Sequence, residues 1–77
     1  MPINTSELDS LRASYKDAVE QWVAAIREEE NLASADHSII AMELWDAACF
    51  KEQDSRQKAM EAKEQYKDAL RQINYGI

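Results

Sequence analysis

Ala33-Ser34-Ala35-Asp36-His37-Ser38 is the one interior stretch of this chain with the composition of a turn. Short polar residues of this kind cap helices and initiate turns. The only proline and the only glycine are Pro2 and Gly76, so the 73 residues between them contain no strong helix breaker. Most of them are good helix formers: Ala, Glu, Lys, Gln, Arg, Leu and Met. The chain therefore reads as all-α and as a single domain over residues 1–77. It predicts a helix over about 5–32, a turn over about 33–36 and a helix over about 37–74, folded into a long antiparallel hairpin.

Working back from the turn, Leu8, Leu11, Tyr15, Ala18, Trp22 and Ala25 recur at alternating intervals of three and four, with Val19, Val23 and Ile26 widening the stripe. Asn4 is placed as the N-cap with Glu7 three residues on, and Ile3 with Leu8 as a hydrophobic staple. Glu28, Glu29 and Glu30 crowd the last turns, where the helix dipole disfavours negative charge. They read as a solvated end, with local strain or a hint of function as the alternative.

Working forward, Asp36 or Ser34 is expected to cap the second helix. Its first part is unusual, since ten of the twelve residues from Ile39 to Phe50 are apolar and only Glu43 and Asp46 leave a polar strip. At about 100° per residue these side chains cover nearly the whole helix, more than one neighbouring helix can bury. Eight polar residues follow, from Lys51 to Lys58. Asp54 with Gln57 resembles a capping box and opens an alternative, a three-helix bundle broken near Asp54. The (i, i+4) pairs Glu52–Arg56 and Asp54–Lys58 favour a continuous helix. The stripe resumes at Ala59, Ala62, Tyr66, Ala69, Leu70 and Ile73.

One segment is echoed. Residues 15–22 (YKDAVEQW) match residues 66–73 (YKDALRQI) in five identities and two apolar exchanges. Either an old duplication or one packing problem solved twice accounts for it.

Folding the chain at Ala35 sets Trp22 opposite Ala48, Ile26 opposite Leu44 and Leu8 opposite Ala62, large against small. It leaves Leu70, Ile73, Tyr75 and Ile77 overhanging. The apolar segment and the overhang call for the same cover, a second hairpin in an antiparallel four-helix bundle. A chain of 77 residues also has too small a core to be comfortable alone, and its single cysteine offers no intramolecular disulfide. The expected interface residues are Tyr15, Trp22, Ile40, Leu44, Trp45, Phe50, Tyr66, Leu70 and Ile73.

Charge narrows the function. The net charge of −6, spread over both halves, argues against direct nucleic-acid binding and against anionic membrane surfaces. No apolar run approaches a membrane span, and the N-terminal residues lack a signal-peptide pattern. With one unpaired thiol, this points to the cytoplasm.

Catalytic constellations are thin. His37 is the only histidine and no Glu-x-x-His motif is present, so a di-iron bundle finds no support, although a metal site near the turn built from two copies stays open. Cys49 sits in the most apolar segment and reads as a small hydrophobe. Glu43 and Asp46 read as a solvent strip, and Trp22 and Trp45 as core. The basic residues of the second helix alternate with acids and read as surface pairing. No interior glycine exists to build a phosphate loop or a nucleophile elbow. The expectation is a non-enzymatic interaction protein without cofactor: a small acidic homodimer that binds another macromolecule, with a basic protein as the fitting partner. The alternative is a bundle that binds a metal or small ligand.

Overall fold

The computed structural model describes residues 4–33 and 35–76. It is a helical hairpin in which α1 (Thr5–Leu32, 28 residues) packs against α2 (Ile39–Tyr75, 37 residues). Ile3, Ser34 and Ile77, expected respectively as staple, alternative cap and overhang, lie outside the described residues. The hairpin is a rod 56 Å long and 16 Å by 13 Å across, so α2 alone spans its length, at about 1.5 Å per residue.

The ends follow local chemistry. The Asn4 side chain accepts the Glu7 backbone N–H at 2.8 Å and starts α1. Gly76 adopts the left-handed conformation (φ 68°) that closes α2, and its N–H donates to the Gln72 carbonyl at 3.0 Å. At the start of α2 the expected cap moves. Ser38, not Asp36, is the N-cap, its Oγ accepting the Ala41 N–H at 3.1 Å. Asp36 accepts the N–H of Ser38 at 2.9 Å instead, a local turn that presents Ser38 as the cap. The helix consequently begins at Ile39 rather than near residue 37.

Helix α2 runs unbroken through Asp54, so the three-helix alternative does not form. Lys58 pairs with Asp54 at 3.1 Å as the spacing predicts. Glu52, expected to pair with Arg56 on its own helix, is instead taken by α1: the Trp22 indole Nε1–H donates to its Oε1 at 3.1 Å.

The two seams follow a heptad spacing. On α1, Leu8, Leu11, Tyr15, Ala18, Trp22, Ala25, Glu29 and Leu32 are buried or half-buried. On α2 the matching line is Ala41, Ala48, Glu52, Ser55, Ala59, Ala62, Tyr66 and Ala69, with Trp45 and Ile73 more open. The fully buried residues among those described are all alanines: Ala25, Ala48, Ala59 and Ala69, the last only 1% exposed. Small side chains at the contact let the helix axes approach closely, while the bulk of Tyr15, Trp22 and Tyr66 lies along the edges.

The register differs from a fold at Ala35. Tyr15 stacks on Tyr66 with ring centroids 6.4 Å apart, and Glu28 pairs with Lys51 at 3.0 Å. With Trp22 on Glu52, every cross-helix pair engages α2 further along the chain than expected. The pairs do not share one register. From Tyr15–Tyr66, α2 outruns α1 by ten residues at the link end, and from Trp22–Glu52 by three at the link end and six at the other. Long side chains on antiparallel helices lean toward their own N-termini, which accounts for the spread. Leu70, expected in the overhang, is half-buried against the hairpin. Ala33 and Ser38, on either side of the linking strap, are extended (ψ 102° and 160°).

Candidate functional site

The nine residues expected at an interface separate into two groups. Tyr15, Trp22, Tyr66 and Leu70 are half-buried and hold the hairpin together. Ile40 (71% exposed), Leu44 (54%), Trp45 (39%), Phe50 (74%) and Ile73 (44%) remain open. The first four of these lie in the all-round apolar segment, of which the hairpin covers one side only: Ala48 is buried and Ala41 and Cys49 half-buried, while the rest stays open. Between strap and helix is a cleft of about 370 Å³ floored by Leu32, Ala41, Met42 and Trp45 and rimmed by Asp36 and His37.

A further surface comes from residues read from the sequence as widening the core stripe. Val23 and Ile26 are each 40% exposed, and Val19 is half-buried. They are displaced from the seam because Trp22 and Ala25 take the contact with α2. The Glu28–Lys51 pair marks one side of the hairpin. By helical projection Val19, Val23 and Ile26 fall on the opposite side, as do Cys49 and Met60 of α2. Val19, Val23 and Ala24 floor a shallow groove of about 290 Å³ on α1, edged by Glu20 and Arg27. The missed signal is a second heptad in the same helix: Arg12, Lys16, Val19, Val23, Ile26 and Glu30, at intervals of four and three.

The chemistry-bearing residues do not converge. His37 is exposed in the link, and Glu43 and Asp46 are exposed on α2. Among the described residues no group of three or more His, Cys, Asp and Glu could hold a metal ion. Cys49 is half-buried. Desolvation foremost, then the Glu29 carboxylate that accepts a hydrogen bond from it, and more weakly Asp46 and Glu52, push its thiol pKa up. A thiol held protonated is a poor nucleophile. Among the described residues no helix is long and apolar enough to cross a membrane.

No family model matches this chain, nor does any curated protein or solved structure. The surface itself carries the functional reading.

Proposed function

We propose that this chain is a non-enzymatic, cytoplasmic interaction protein that works as a homodimer of hairpins, a four-helix bundle. One observation carries the reading. Among the described residues the buried core is four alanines, while eleven large apolar residues, from Trp45 at 39% to Phe50 and Tyr75 at 74%, stay open to water. An alanine seam buries little area per residue, and each large side chain left exposed forgoes about 1.5–3 kcal/mol of burial. A protein that keeps its largest apolar side chains outside has somewhere else to bury them. The acidic exterior that a bundle would present suits a basic protein partner and repels nucleic acid.

Sedimentation equilibrium across the micromolar range tests this reading. A dimer whose thermal midpoint rises with concentration is the expected result. A monomer at every concentration, with the hairpin intact by circular dichroism, overturns it.

A further inference from the structure

We propose that the second copy docks antiparallel along the outer face of α1, with the two-fold axis at Val23. This rests on the self-association reading and adds to it the face, the orientation and the register.

The first support is charge order. Lys16 and Glu30 lie seven residues before and seven after Val23, and Glu20 and Arg27 lie three before and four after. Across an antiparallel two-fold, a residue a given distance before the axis meets one the same distance after it. Lys16 therefore meets the second copy's Glu30, and Glu20 lies within one residue of the level of its Arg27, each contact occurring twice. All four side chains are exposed, and none makes an ion pair or hydrogen bond among the described residues. A parallel arrangement would set Lys16 on Lys16 and Glu30 on Glu30. The pattern is antisymmetric about Val23, as antiparallel self-pairing requires.

The second support is the apolar line between those charges. Val19 lies within one residue of the level of the second copy's Ile26 and Val23 meets itself, which covers the groove floored by Val19, Val23 and Ala24.

Area supports the same occupant. The chain exposes 6068 Å², whereas a compact monomer of 8.8 kDa exposes about 4,800 Å². The excess of about 1,300 Å² exceeds the roughly 800 Å² that each partner buries in a standard interface.

Two charge variants test the axis. K16E/R27E makes the face wholly acidic, and E20K/E30K makes it wholly basic. Each alone should self-associate at least about ten-fold more weakly than wild type, and an equimolar mixture should recover association to within a few-fold. A C49S background carrying V23C gives a second readout. Under copper–phenanthroline oxidation it should form a symmetric intermolecular disulfide much faster than K58C in the same background. Variants that self-associate as tightly as wild type, a mixture without recovery, or V23C cross-linking no faster than K58C overturns the proposed axis while leaving self-association standing. A wild-type monomer overturns self-association itself.

Discussion

The Trp22 indole donates a hydrogen bond to the Glu52 carboxylate across the two helices at 3.1 Å, in a seam whose buried residues, among those described, are alanines. The bond joins a charged acceptor to a half-buried aromatic, so losing the acceptor strands the indole N–H. Glu52→Ala should cost about 1–2 kcal/mol in urea unfolding followed by tryptophan fluorescence, and Glu52→Gln, which keeps an acceptor, less than about 0.5. Equal losses in the two variants would mean that the carboxylate contributes through something other than this bond.

The alanine seam sets a steric limit. Ala69 is 1% exposed and Ala59 is 3% exposed, so neither position has room for a larger side chain. Ala69→Leu should destabilise the hairpin by about 1–3 kcal/mol, despite adding apolar surface. The same change at Ala13, exposed on α1, should leave the unfolding of the hairpin within about 0.5 kcal/mol of wild type. A stabilising Ala69→Leu, measured by thermal melting, would mean that the helices lie further apart than this seam requires.

Cys49 gives a pH signature. Its folded pKa is raised by desolvation foremost and then by Glu29, so the native thiol keeps its proton to higher pH than the thiol of the unfolded chain. The stability this contributes is fully present below the ordinary thiol pKa and is lost as pH rises through the higher native value. Iodoacetamide labelling of native protein should lag behind that of urea-unfolded protein most clearly near pH 8–9, about the ordinary thiol pKa. Glu29→Gln should move the native labelling profile toward lower pH. An unchanged profile in that variant would remove Glu29 as a cause.

Capping of α2 resides in Ser38, whose Oγ accepts the Ala41 N–H. Ser38→Ala should cost about 1 kcal/mol and Ser38→Gly only a few tenths, read by chemical denaturation. Asp36→Ala removes the contact to the Ser38 N–H and should cost less than Ser38→Ala, since it orders the strap without capping the helix. The reverse ranking would place the cap at Asp36.

Leu70 tests where the hairpin ends. It is half-buried beside Ala69, near the C-terminal end of α2. Leu70→Asp should lower the unfolding free energy of the hairpin itself by about 2 kcal/mol or more. Lys63→Asp, on the exposed surface, should change it by less than about 0.5. An effect of Leu70→Asp confined to self-association would restore the overhang that a fold at Ala35 predicts.

Much of this was legible in the residues. Missing interior breakers, the three-and-four spacing and the single polar link lead directly to two long helices, and the observed α1 covers the expected range. The cap at Asn4 was readable because capping is local. The cap at Ser38 was not, because Asp36 and Ser38 both suit the role and only the path of the strap selects one. The split of the interface residues was hidden too. Val23 and Ile26 lie close enough in projection to Trp22 and Ala25 that one broad stripe and two adjacent faces look alike on a helical wheel.

The sequence by itself determined the helices, their seams and their antiparallel pairing, since these follow from intrinsic propensity and a repeat that each residue carries within its own neighbourhood. Tertiary structure alone decided the register. A heptad seam maps onto itself when one helix slides by seven residues, so periodicity leaves several alignments equally good. The degeneracy is broken by particular side chains across the seam. Sliding by one heptad would put Trp45 or Ala59 where Glu52 stands, and neither can accept the Trp22 N–H through its side chain. That choice, with the Tyr15–Tyr66 stack, brings Leu70 against the hairpin, where a fold at Ala35 leaves it bare.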